Sequence, residues 1–273
     1  MPILWRIHVR LVLICLTVPA CCAHARDRSA RSITEISVAS SEACIHGTAG
    51  ATAGDVPGTT VSLASILVSP KTKRTYEHAA NALALKNFDE AEKQLQKAVS
   101  ISPDTAVGWC LMGTLHEEKL ELDKAFSDYS RALSADSRLL PAYLGFARIA
   151  FLEKRWQEVI EFTDQSAKID PIAVPAGYFY NAAAHLNVRN LISAEKSAHK
   201  FESLDPEHER PQVYLLLGDI LALKRDFARA AEQKKTFLRI VPDAYDADEI
   251  KEQIKILEHL SSGKKSASTT LTN

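Results

Sequence analysis

LKNFDEAEKQLQKAVSISP, residues 85–103, decides how this chain folds. Its apolar residues recur at spacings of three and four, which marks an amphipathic helix. It stops on a proline, which lacks an N–H and clashes with the preceding turn, so the helix cannot continue. Pro103 has counterparts downstream: Ser137 and Pro171 follow at intervals of 34, then Pro206 at 35 and Pro242 at 36. About twelve positions ahead of each stop lies a small residue, at Ala91, Ala125, Val159, Ala194 and Ala230. An aromatic-plus-small pair precedes that: Trp109 with Gly113, Tyr143 with Ala147, Tyr178 with Asn181 or Ala182, and Tyr214 with Gly218. Self-similarity at this period marks a stacked array of supersecondary units.

Two helices of roughly 14 residues per period, each with one apolar face and joined by a tight turn, must cross closely. Gly113 and Gly218 on first helices, with Ala125 and Ala230 on second helices, remove bulk at the crossing, while Trp109, Tyr143 and Tyr214 fill the space beside it. One pair alone leaves an apolar face exposed, so pairs must stack on neighbours. The spacing places five repeats at 72–105, 106–139, 140–173, 174–208 and 211–244. A helix from Ala244 to Leu260 follows as a polar-faced cap, carrying Ile250, Ile254, Ile256 and Leu257 on one side. Residues 261–273, rich in Ser, Thr and Lys, are expected to be a disordered tail. Ten Gly and eleven Pro among 273 residues are too few for a sandwich built of hairpins.

The run Trp109-x3-Gly113, then Ala125-x3-Tyr129-x2-Ala132, resembles the tetratricopeptide repeat, with 85–103 matching its second helix and terminal proline. Repeat four departs from it, because Gly177 stands where an aromatic is usual and one extra residue lies near Asn190. The resemblance implies an all-α fold: an α-solenoid, wound as a right-handed superhelix, of about five helix-turn-helix units plus a C-terminal capping helix.

Residues 1–25 carry Arg6 and Arg10, an apolar run from Leu11 to Ala20, and the triplet Ala23-His24-Ala25. This is the layout of a secretory signal peptide, and the run is half the roughly 20 residues that span a bilayer. Val18-Pro19-Ala20-Cys21 also resembles the lipobox of bacterial lipoproteins, so contact with a membrane is expected only if Cys21 is lipidated. Residues 26–70 read as a flexible Ser/Ala/Thr-rich linker containing a short extended segment at 61–68. The expected location is therefore periplasmic or extracellular, with an outer-membrane tether as the lipidated alternative. Of five Cys, only Cys44 and Cys110 lie beyond residue 25, too few for a disulfide framework. Lys plus Arg at 33 against Asp plus Glu at 34 gives a net charge of -1, which argues against a broad nucleic-acid footprint.

Chemistry-bearing motifs are sparse. Gly263-Lys264-Lys265-Ser266 lacks the upstream glycine of a phosphate loop. Ser193 and Ser197 each begin an SxxK sequence, but without the companion SDN and KTG motifs of serine enzymes of that type. His116 and His208 lie beside acids without the i, i+4 pairing of a closed metal site. No cofactor, no metal and no catalytic residue is expected.

What the resemblance implies is a concave groove lined by first helices. Its inward slots fall on Tyr76, Ala80 and Leu83; Cys110, Thr114 and Glu117; Leu144, Arg148 and Phe151; Tyr178, Ala182 and His185; and Leu215, Asp219 and Ala222. Tyr76, Cys110, Leu144, Arg148, Phe151, Tyr178 and His185 form the expected peptide-binding set, with aromatic anchors and Arg148 as the orienting charge. A clamp for acidic chaperone C-termini places Lys and Asn on the first helix, Asn on the third, and Lys and Arg on the fifth; the matching slots here are Tyr76, Ala80, Leu111, Arg148 and Leu152, of which only Arg148 is a cation. The expected function is a non-catalytic scaffold of the bacterial envelope that binds a protein or peptide. The alternatives are a lipid-anchored structural lipoprotein and, third, an SxxK-type serine enzyme.

Overall fold

A computed structural model describes residues 70–269, all of whose regular structure is helical. The signal segment 1–25 and the extended segment 61–68 lie outside the described residues, as does the linker except Pro70, where the first helix begins. Eleven helices follow in order: α1 (Pro70–Ala84), α2 (Phe88–Ile101), α3 (Ala106–Glu118), α4 (Leu122–Ala135), α5 (Leu140–Leu152), α6 (Trp156–Ile169), α7 (Pro175–Asn187), α8 (Leu191–Leu204), α9 (Gln212–Leu223), α10 (Phe227–Ile240) and α11 (Ala247–Thr269). They fall into two compact units, one ending at Val213 and the other resuming at Tyr214.

In the first unit each odd-numbered helix packs on the next as a hairpin, and α3, α5 and α7 also pack on the pair before them. One turn geometry makes every hairpin. Lys86, Leu120, Lys154, Arg189 and Arg225 all have positive φ, between 56° and 64°. The two amides that follow the helix reach back to its last turn, as in Lys154 N to Phe151 O at 3.0 Å and Arg155 N to Ala150 O at 2.8 Å. This is a Schellman ending, and it turns the chain sharply enough to start a second helix at once. Asn87, Asn190 and Asp226 then cap α2, α8 and α10, accepting from the amides of Glu90, Ser193 and Arg229.

In α3, α5 and α7 an aromatic of the first turns ties down the loop before the helix. Trp109 Nε1 donates to Pro103 O at 2.6 Å, Tyr143 Oη to Ser137 O at 3.0 Å, and Tyr178 Oη to Pro171 O at 3.0 Å. Tyr178, not Gly177, therefore fills the aromatic slot of repeat four, and Ala182 is its small partner. The extra residue of that repeat lies in the loop 170–174, which is one longer than 136–139, and not near Asn190. Asp170 accommodates it, its Oδ1 accepting from the amides of Ile172 and Ala173.

In the second unit α10 packs on α11, which buries Ile250, Ile254 and Leu257. Ile256 is exposed, because it lies off the i, i+4, i+7 line of the other three. The helix runs through Thr269, past the Leu260 expected as its end, so the expected tail begins inside it. No proline follows Leu260, and Gly263 alone is a weak stop, costing about 1 kcal/mol in a helix.

Candidate functional site

The expected groove set separates by burial. Tyr76, Cys110, Leu144 and Arg148 are buried, whereas Phe151, Tyr178 and His185 are partly accessible. Cys110 is fully buried and disulfide-bonded, so its sulfur does not face a partner. Among the described residues it is the sole cysteine. Tyr76 lies against Gly108, where a methyl group would meet its hydroxyl at 2.7 Å. Leu144 belongs to a core cluster with Val159, Ile160 and Tyr180, and Phe151 packs edge-on against Trp156 and Tyr180.

Arg148 is not an orienting charge for a partner. It is 1% exposed and grips Glu117, itself 5% exposed, with Nε to Oε1 at 2.6 Å and Nη2 to Oε2 at 2.6 Å. Tyr129 Oη donates to the same Oε2 at 2.7 Å and accepts from Arg148 Nη2 at 3.2 Å. Burial opposes the guanidinium charge, yet Glu117 overcomes it and holds Arg148 above its ordinary range. Burial, reinforced by Glu117, likewise pushes the Tyr129 phenol well up. His116 Nδ1 meets Asp128 Oδ2 at 2.6 Å, so this histidine has a partner inside the hairpin. Burial raises Asp128, with His116 pulling the other way. These groups form a charged lock between α3, α4 and α5. Sequence spacing hid it because Glu117 and Arg148 are 31 residues apart, on different hairpins.

The accessible pair, Tyr178 and His185, lies on a cavity of about 270 Å³ between α6, α7 and α8. Thr163, Asp164 and Asp170 form one wall, Gly177, Asn181 and His185 a second, and Ser193, Lys196 and Ser197 a third. Asn181 is the centre of its polar network. Its Nδ2 donates to Thr163 Oγ1 at 2.8 Å and Asp164 Oδ1 at 3.0 Å, while its Oδ1 accepts from Ser197 Oγ at 2.7 Å. His185 Nδ1 is buried without a partner, and burial lowers the imidazole pKa against the pull of Asp164. Burial raises the Tyr178 phenol, helped by Asp170 and Asp164. Both SxxK serines line the cavity, but Ser197 gives its hydroxyl proton to an amide oxygen and not to a base.

The cavity exists because slots that are aromatic one repeat earlier carry smaller side chains. The first helices α5 and α7 are offset by 35 at both ends, as are the second helices α6 and α8 at their starts, whereas α4 and α6 are offset by 34. Between α4, α5 and α6 the facing slots hold Phe126, Tyr129, Phe146 and Phe162, with Phe146 stacked on Phe162 at 4.9 Å and edge-on to the exposed Phe126 at 4.8 Å. One repeat later the same slots hold Ile160, Thr163, Asn181 and Ser197. A Cβ added at Gly177 would meet nothing nearer than Thr163 Cγ2 at 4.0 Å. Among the described residues no group of three potential metal ligands occurs, and no helix is long and apolar enough to cross a membrane.

Comparison with known proteins agrees with this architecture. The tetratricopeptide repeat profile matches residues 76–105. The type IV pilus assembly protein PilF of Pseudomonas aeruginosa is 20% identical over 151 residues, 55% of this chain and 60% of PilF, so the chain spans less than two thirds of that relative. The solved PilF structure superposes with a TM-score of 0.57 at 18% identity, over 68% of this chain and 91% of that one. A MamA fragment from Desulfovibrio magneticus gives 0.55 at 16% identity, over 65% and 98%. YrrB, described as a tetratricopeptide protein with an unusual peptide-binding site, gives 0.53 at 16% identity, over 64% and 88%. At these identities the structures speak for the fold alone. With the repeat profile on its first hairpin and the same hairpin built again by each later pair, the chain has the fold of a tetratricopeptide repeat array.

Proposed function

We propose that this chain is a non-catalytic protein-interaction scaffold of the bacterial cell envelope, exported on residues 1–25, that engages a partner at the junction of α6, α7 and α8. The observation that carries the reading is the open cavity there, on which Tyr178 and His185, the accessible members of the expected groove set besides Phe151, both lie. Tetratricopeptide arrays act by presenting fixed surfaces to other polypeptides, and stacked hairpins hold such a surface rigid. The envelope part rests on the layout of residues 1–25 and on the similarity to PilF, a pilus assembly protein.

A photo-crosslinking residue at Lys196, on the cavity rim, tests this in cells of the source bacterium. A discrete adduct is expected in the envelope fraction, and none from Lys93 on α2, which is also exposed. Adducts from Lys93 alone overturn the assignment of the surface. The mass of the mature N-terminus tests the location: a free Arg26 supports a soluble exported protein, and intact Met1 overturns export. Acylated Cys21 establishes the second reading, a lipid-anchored lipoprotein, which the Val18–Cys21 sequence favours.

A further inference from the structure

We propose that the cavity between α6, α7 and α8 receives the side chain of an arginine presented by the partner polypeptide. The inference rests on the scaffold reading above and names the chemistry that the site selects. At about 270 Å³ the cavity falls below the roughly 300–1,000 Å³ of small-molecule pockets, so it suits one long side chain better than a free metabolite.

Its hydrogen-bonding inventory is rich in acceptors. Asp164 and Asp170 each use Oδ1 within the fold, and their Oδ2 atoms make no hydrogen bond to the described residues. Ser197 Oγ has donated its proton to Asn181 and keeps acceptor capacity. The neutral imidazole favoured by burial at His185 holds one acceptor nitrogen, and Nδ1 has no partner. Against these stands one cation, Lys196, at the exposed rim. An acceptor-rich wall with net negative charge asks for a guest that only donates and is positive. A guanidinium is such a guest: planar, always charged, with five N–H groups in a fixed fork that matches carboxylates and stacks on rings such as Tyr178. The site has space for it because Gly177 contributes no side chain and the neighbouring aromatic slots hold Asn181 and Ser197.

Acetyl-arginine methylamide, its neutral citrulline isostere and acetyl-glutamate methylamide are the probes, titrated into the isotope-labelled full-length protein. The arginine probe is expected to shift the side-chain signals of Asn181 and His185, binding about tenfold or more tighter than citrulline. Gly177→Leu is expected to fill the cavity and abolish those shifts while keeping the melting temperature. Asp164→Asn keeps an oxygen to accept from Asn181 and is expected to weaken the probe about tenfold. Equal binding of arginine and citrulline, preference for glutamate, or full binding by a folded Gly177→Leu protein each overturns the proposal, as does the absence of any shift at saturating probe. Partner adducts at Lys196 that persist undiminished in Gly177→Leu also overturn it while leaving the scaffold reading intact. Loss of all adducts from the unmodified protein, with arginine still bound, removes the scaffold reading instead.

Discussion

Two neighbouring junctions of this array use one backbone plan and opposite chemistry. Where α4, α5 and α6 meet, three aromatics interlock around Phe146, and Arg148 is clamped to Glu117 beside them. Where α6, α7 and α8 meet, the same slots carry Thr163, Asn181 and Ser197, held by hydrogen bonds around an open space. The first junction gains stability from dense packing and a dry ion pair. The second gives up that packing, and its side chains are kept in place by an amide that binds three partners. A solenoid tolerates such a difference because each hairpin contacts only its neighbours, so one junction can be specialised without disturbing the rest.

The contrast breaks most sharply at the charged lock. Glu117→Ala leaves the Arg148 guanidinium buried with its counter-ion gone, and should destabilise by about 3–5 kcal/mol in denaturant unfolding. Two glycines should then respond with opposite signs. A methyl at Gly145 on α5 runs into the Tyr129 ring, so Gly145→Ala should cost about 1–3 kcal/mol by overpacking. A methyl at Gly177 on α7 enters open space, so Gly177→Ala should stabilise by about 0.5–1 kcal/mol, because alanine loses less freedom in a helix. Equal effects at the two sites would mean that the second junction is packed after all. The smallest effect is in pH. Burial lowers the His185 pKa in the folded state, so the unfolded chain takes up the proton first as pH falls below about 6.5, and that share of stability is lost. His185→Asn should flatten the stability profile on that acid side, as read by melting temperature against pH.

The repeat fold was legible because its determinants are local: a proline or serine stop, a small residue twelve before it, and an aromatic-plus-small pair recur within one hairpin. The site was less legible. Reading Gly177 as the aromatic slot moved the inward positions of repeat four by one residue, since nothing in the sequence says that the extra residue sits in 170–174. Tyr178 and His185, expected as peptide contacts on the first-helix face, line a cavity between α6, α7 and α8. Arg148 looked like a lone cation because its partner Glu117 lies on another hairpin. Burial across hairpins is a tertiary property, and a heptad-length pattern does not carry it.

The turn that makes each hairpin has a consequence for how far this molecule stands from its own limit of heat resistance. Lys86, Leu120, Lys154 and Arg189 are exposed, and each keeps a Cβ in a left-handed conformation that costs an L-residue about 1 kcal/mol or more. Glycine at any of them would relieve the strain while forfeiting little contact, offset in part by the freer unfolded chain. Because the four turns belong to different hairpins and share no partner, the gains should nearly add. The melting temperature of the array is thus adjustable in small equal steps from its rim, without touching the core or the cavity.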